Sequence, residues 1–217
     1  TKMLLAGPPR SLLLIIFFFF FFFLVHLSTA VKPCSSPPQP RQSPIGRNVR
    51  YIISSCNSTL YPSLCYHSLS VYASKIKTNP KLLIHTSLTI THKATISTSW
   101  VLRRMSKLRG LRPREAAAVR DCMEQVRDSL YELGRSIGEM GHVIRGGRSF
   151  EGYVADIQTW VSSALTDDSS CLDGLSEVHM KKNVKAVIRR RIVRISHLTS
   201  NALALINKFS SSLVGAP

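Results

Sequence analysis

Residues 113–145 read PREAAAVRDCMEQVRDSLYELGRSIGEMGHVIR. Within them Val119, Met123, Val126, Leu130, Leu133, Ile137, Met140 and Ile144 alternate spacings of four and three without a break. That period places them along one side of an α-helix. Pro113 suits the first helical turn, where its missing N–H costs nothing, and Gly146-Gly147 stops the run. An amphipathic helix this long needs partners of its own kind.

Those partners lie on both sides. Upstream, Asn79-Pro80 is a helix start, Asn as N-cap and Pro at the first position. Leu83, Ser87, Ile90, Ala94, Ser97, Val101, Met105 and Leu108 then recur at helical spacing up to Gly110. The Thr and Ile content of this stretch favours strand locally, but a period sustained for nearly thirty residues outweighs it. Downstream, Ser149 is placed to cap a helix with Phe150, Tyr153, Ile157, Trp160, Val161 and Ala164 on its apolar side and a break near Asp167. A last helix, Met180 to Ser211, carries Val184, Ile188, Ile195, Leu198, Ala202, Leu205 and Phe209. Four stripes joined by short loops bury one another most simply as an all-α, up-down-up-down four-helix bundle. Asn48 to Ser55, and a second short helix opened by Tyr61-Pro62, form an N-terminal helical hairpin appended to it.

The chain therefore reads as a folded domain over 48–213, preceded by a Pro-rich disordered linker, 31–47, and a signal peptide, 1–30. The linker has too few apolar residues to offset its ordering entropy. The signal peptide has Lys2 and Arg10, then an unbroken apolar run from Leu12 to Val25, then Ser28-Thr29-Ala30 for cleavage. The run is short for a membrane span. Secretion into the extracellular space makes disulfides the default for Cys56, Cys65, Cys122 and Cys171, with Cys34 in the linker as the odd one. Four cysteines allow three pairings, and spacing alone does not choose. The eight residues between Cys56 and Cys65 favour a local loop, and antiparallel helices are consistent with a Cys122–Cys171 bridge. Asn57-Ser58-Thr59 in that loop is an N-glycosylation sequon.

Charge is uneven. Val31–Arg114 holds 14 basic residues and no acidic one, Glu115–Glu177 five basic and 12 acidic, and Val178–Pro217 eight basic and none acidic. Lys181, Lys182, Lys185 and Arg189 share one side of the last helix and are the candidate contact for an acidic wall polysaccharide, pectin above all. Trp100 and Trp160 read as core or boundary aromatics. Nucleophile-elbow, zinc-protease, P-loop and dinucleotide motifs are all missing, and neither a metal site nor a cofactor is indicated. The chain reads as a binding protein, not an enzyme.

Several motifs in order resemble the plant pectin methylesterase and invertase inhibitor family: Cys56-Asn57-Ser58-Thr59 with Tyr61-Pro62 and Cys65; Leu111 to Glu115 through Asp121-Cys122; Asp156 with Gln158 to Thr166 and then Cys171-Leu172-Asp173; and Thr199 to Leu205. The resemblance covers about Val49 to Ser212. It implies a four-helix bundle with an N-terminal hairpin, disulfides Cys56–Cys65 and Cys122–Cys171, and one-to-one capping of an enzyme's active-site cleft in the cell wall. Invertase inhibitors resemble one another in a Pro-Lys-Phe between the second and third bundle helices. Here that loop, His142 to Phe150, reads HVIRGGRSF. The resemblance thus favours pectin methylesterase as target over acid invertase. The same module precedes the catalytic domain in some pectin methylesterases, and this chain is expected to be a free inhibitor. Within the acidic block, Glu124, Asp128, Asp156 and Thr159 are the candidate partner contacts, facing basic enzymes. Outside the family, a polysaccharide-adhesion protein without an enzyme target and a membrane-tethered helical protein remain as alternatives.

Overall fold

The computed structural model describes residues 43–145 and 150–214. The signal-peptide reading, most of the linker, Cys34 and the Ser149 cap lie outside them. The elements are α1 (Pro44–Cys56), α2 (Pro62–Leu69), a 3-10 turn (Ser70–Tyr72), α3 (Ala73–Ile76), α4 (Pro80–Met105), α5 (Pro113–Arg145), α6 (Phe150–Ser176) and α7 (Lys182–Val214). Each long helix packs on its sequence neighbours, and α4 meets α7 to close the ring, while α1–α3 lie against α4 and α7.

Boundaries follow from caps. α1 begins at Pro44, inside the stretch read as linker, because the Ser43 hydroxyl accepts from Gly46 N and Pro44 opens the first turn. Asn79 Oδ1 accepts from the amides of Lys81 and Leu82 and starts α4. α4 ends at Met105, not Gly110: Ser106 caps it, and Gly110 at φ +79° turns the following loop in a conformation that favours glycine. α6 runs through Asp167 without a break.

The α4 face needs correction. Leu83 and Ser87 are buried as expected, but from Leu88 on the buried line is Thr91, Thr95, Thr98 and Leu102, whereas Ser97 and Leu108 are exposed. Over that stretch the core face is about one residue, or 100°, round from the expected one. Thr91, Thr95 and Thr98 each donate to the carbonyl four residues back, at 2.9–3.0 Å. With their hydroxyls satisfied, these threonines are compatible with a buried helix face. On α5 Val119, Val126, Leu133 and Met140 of the expected stripe are buried, but Cys122, Ser129, Ser136 and Val143 complete the buried line in place of Met123, Leu130, Ile137 and Ile144, the last of which is exposed.

The core falls into two apolar clusters. One, at the hairpin end, holds Cys56, Cys65, Leu88, Leu133, Ile157, Val161 and Leu205. The other, at the opposite end, holds Leu102, Val119, Cys122, Cys171, Leu175, Ile188 and Ile192. Between them along the helices the buried residues are polar: Thr91 to Thr98 on α4, Ser129 on α5, Asp168 on α6 and Thr199 on α7. The bundle has a polar waist.

Asn201 docks the hairpin. Its Oδ1 accepts from Tyr61 N at 3.0 Å and its Nδ2 donates to Tyr61 O at 2.9 Å, reading the backbone as a partner strand does. The Tyr61 ring stacks on His197 at 3.5 Å, and burial holds that imidazole below its ordinary pKa range. Asn201→Ala orphans the part-buried Tyr61 N–H, at about 1 to 3 kcal/mol, while the Tyr61 carbonyl keeps the Cys65 amide as a donor at 3.0 Å. A loss of about 2 kcal/mol in denaturant unfolding, with faster hydrogen exchange at Tyr61, is expected. Unchanged exchange at Tyr61 shows that the hairpin is held elsewhere.

Candidate partner-binding surface

α5 and α6 form the tightest pair in the bundle, and Cys122–Cys171 joins them with Cα atoms 4.5 Å apart. Cys56–Cys65 closes the hairpin at 5.5 Å. At the N-terminus of α5, Glu115 Oε2 accepts from Arg112 N at 2.7 Å, while Arg112 Nη2 donates to Glu115 Oε1 and to the His179 carbonyl. The Arg112 backbone N–H first, and then its guanidinium, hold this buried carboxyl below its usual pKa range. One side chain thus ties the α4–α5 loop to the α6–α7 loop.

The outer face of this pair carries an aromatic–cation cluster. Arg135 lies over the Trp160 ring at 3.9 Å and over Tyr131 at 5.7 Å. Tyr131 is 67% exposed. Trp, Tyr and Arg are the residues that most often anchor protein interfaces. Asp128 flanks this cluster toward the disulfide, and Asp156 and Thr159 flank it toward the other end, all three exposed. The Thr159 hydroxyl is turned to the Ala155 carbonyl at 3.0 Å. Asp128 also meets Arg127 at 3.5 Å, an exposed pair worth little. Glu124 stands apart. It lines a groove between α4 and α5 among Arg103, Arg120 and Arg127.

An acidic cluster lies beneath. Asp167 is pushed up to about 6, by burial first and then by Glu132 and Asp128. Asp168 is fully buried, accepts from Thr199 Oγ1 at 3.0 Å, and burial pushes it up to about 7.

The basic quartet, Lys181 just before α7 and the other three on it, is divided between side chains turned to neighbouring loops and exposed ones. Lys185 Nζ donates to the carbonyls of Ser176 and Val178 at 3.0 Å each, finishing the C-terminus of α6. Lys181 faces the loop at Gly110 and the Glu115 carboxylate. Lys182 and Arg189 are exposed. Asn57 is exposed at the hairpin tip, whereas Thr59 of its sequon is buried with its hydroxyl on the Cys56 carbonyl. Among the described residues no group of three or more His, Cys, Asp or Glu is placed to hold a metal ion.

A family profile for the plant invertase/pectin methylesterase inhibitors matches residues 50–205. The chain belongs to this family. It is 44% identical over 166 residues to pectinesterase inhibitor 10 of Arabidopsis thaliana, covering 76% of this chain and 53% of that relative, and so spans about half of that protein's length. It is 41% identical to pectinesterase inhibitor 9 of the same plant, over 74% of this chain and 81% of the relative. A crystal structure of a mutant form of a pectin methylesterase inhibitor from Arabidopsis aligns with a TM-score of 0.57, at 23% identity, over 71% of this chain and 95% of that one. The likeness to that structure carries the fold: four long packed helices with short N-terminal ones. The family is one of inhibitors rather than enzymes.

Trp160 holds the expected boundary position and Trp100 does not. Trp100 is 60% exposed and Trp160 is half-buried beneath Arg135. Tyr131 and Arg135, four apart and off the apolar stripe of α5, were the available sign of the aromatic–cation cluster on its polar face.

Proposed function

We propose that this inhibitor-family protein is secreted to the cell wall and blocks a pectin methylesterase one-to-one, laying the outer face of α5 and α6 over the enzyme's active-site cleft. The observation that carries this is the exposed Tyr131–Arg135–Trp160 cluster, flanked by Asp128, Asp156 and Thr159 on a disulfide-bonded helix pair. A stiff helix pair presents such anchors with little ordering cost. The relatives named pectinesterase inhibitors support this target, and so does the lack of Pro-Lys-Phe between residues 142 and 150. Two buried disulfides fit an oxidising, extracellular compartment.

The test titrates the disulfide-intact protein against a plant pectin methylesterase and, in parallel, an acid invertase. Stoichiometric loss of esterase activity with invertase untouched is the expected result, and the reverse pattern reassigns the target. Tyr131→Ala with Trp160→Ala is expected to weaken inhibition by about 100-fold, as two lost anchors of about 1.5 kcal/mol each. Asp128→Lys with Asp156→Lys is expected to slow association and reduce its salt dependence against a basic enzyme. An inhibitor indifferent to both pairs docks by another face.

A further inference from the structure

The groove between α4 and α5 belongs to neither the core nor the proposed enzyme face. It has a volume of about 430 Å³ and is lined by Ser99, Arg103, Arg120, Met123, Glu124 and Arg127, among others. Three arginines and one glutamate thus line it, and Arg127 also meets Asp128 at 3.5 Å. Trp100, next in sequence to the lining Ser99, is 60% exposed, with the lining Arg103 at 5.2 Å from its ring centroid. The surrounding chain adds to the field: Arg103 to Arg120 contains seven basic residues, and its single acid, Glu115, is buried and bound to Arg112.

We propose that this groove binds a polyuronate, de-esterified pectin, independently of which enzyme the protein inhibits. A linear chain of carboxylated sugars matches what the groove offers. Arginine pairs with carboxylates through two parallel N–H groups. An exposed indole offers an apolar face to the C–H side of a sugar ring. The trough between two long antiparallel helices is elongated, as an extended polymer requires. The basic run on α7 is the poorer candidate, since Lys185 and Lys181 are occupied in holding the α6–α7 and α4–α5 loops. Binding here anchors the protein on the product of the esterase, with the α5–α6 face left exposed.

The experiment measures binding of the disulfide-intact protein to an oligogalacturonate of defined length by calorimetry at moderate salt. The comparison probes are the fully methyl-esterified oligomer and polyglutamate of equal charge. Arg103→Ala/Arg120→Ala is expected to weaken oligogalacturonate binding about tenfold or more and to lower the salt slope by about 1 to 2, through fewer released counterions. Trp100→Ala is expected to weaken it several-fold with the slope unchanged. Lys182→Ala/Arg189→Ala, equal in charge removed, is expected to change it by less than about twofold. All three variants replace exposed side chains, so thermal unfolding checks their fold, and esterase inhibition is expected to stay at the parent value. The groove is ruled out if the two double variants lose equally, if polyglutamate or the methyl-esterified oligomer binds as well, or if no oligogalacturonate binding is measured. Loss of inhibition with polyuronate binding intact counts against the enzyme face alone.

Discussion

Replacing Cys122 and Cys171 together by alanine is expected to destabilise the bundle by about 4 kcal/mol, against about 2.7 kcal/mol for Cys56 and Cys65. The sequence separations are 49 and nine residues, and on the chain-entropy account the longer closed loop restricts the unfolded chain more. Position does not separate the two bridges, since all four cysteines are buried in an apolar cluster. Cys122 and Cys171 lie within the apolar cluster at the end opposite the hairpin, among Leu102, Val119, Val126 and Leu175. For a domain of this size 4 kcal/mol corresponds to roughly 10 °C in melting temperature. The α5–α6 face also loses its covalent tie, so inhibition is expected to weaken along with stability. Denaturant unfolding of the two double variants, with parent protein alongside, gives the ranking. Equal losses, or a greater loss from the hairpin pair, show that the bridge between long helices follows a pre-formed contact rather than setting it.

How much was legible in the sequence depends on the helix. α7 shows its face plainly: Val184, Ile188, Ile195, Leu198, Ala202, Leu205 and Phe209 are all buried. It is rich in aliphatics on one side and in arginines on the other, so period and polarity agree. α4 misleads because its core side is built from threonine. Hydropathy ranks Thr95 and Thr98 below Ile90 and Val101, yet a hydroxyl bonded back to its own helix is no longer a polar liability. Isolated polar residues on an apolar stripe, such as Ser129 and Ser136, carry the same ambiguity. On the proposed contact face, the acidic block drew attention to α5 and α6, but charge counts carry no register. Glu124 and Asp128 are four apart in sequence, yet Glu124 lines the arginine groove beside α4, whereas Asp128 acts on Asp167 across the α5–α6 seam. Lys185 shows the converse. A residue inside a basic run reads as surface charge, and only the approach of a neighbouring helix end reveals a cap. Trp100 was misjudged because aromatics are buried on average, and its place outside the α4 stripe was the stronger sign.

The polar waist leads to the second large effect. Asp168 is fully buried midway along α6, with Thr199 Oγ1 at 3.0 Å from one carboxyl oxygen and Ser129 against the group from α5. Thr199 Oγ1 also lies 2.9 Å from the Ile195 carbonyl, and its one proton serves only one of the two acceptors. A protonated Asp168 resolves the competition: it donates to Thr199, which then donates to Ile195. An ionised Asp168 takes the Thr199 proton and leaves the carbonyl without it, in surroundings that already disfavour charge. Burial pushes its pKa from 3.8 up to about 7, although the Thr199 and Ser129 hydroxyls act against that rise. Because the folded chain holds this proton more tightly than the unfolded one, its contribution is fully present below about pH 4. It is lost progressively as pH rises through 7. At about 1.4 kcal/mol per pKa unit the loss approaches 4 kcal/mol. Asp167, pushed up to about 6 and partly exposed, adds to it in the same direction. The expected result is a melting temperature that falls on the order of 10 °C between pH 5 and pH 8. In Asp168→Asn, whose side chain stays neutral and still donates, the curve flattens over that range and lies above the parent's at pH 8. Glu115 works oppositely, its depressed carboxyl stabilising above about pH 4 and losing that effect on acidification, but it does so equally in both proteins. Parallel curves for parent and variant mean that water or a shifted hydroxyl already solvates the ionised group. A flat curve in the variant alone identifies one buried proton in the waist as the reason the bundle is most stable in mildly acidic surroundings.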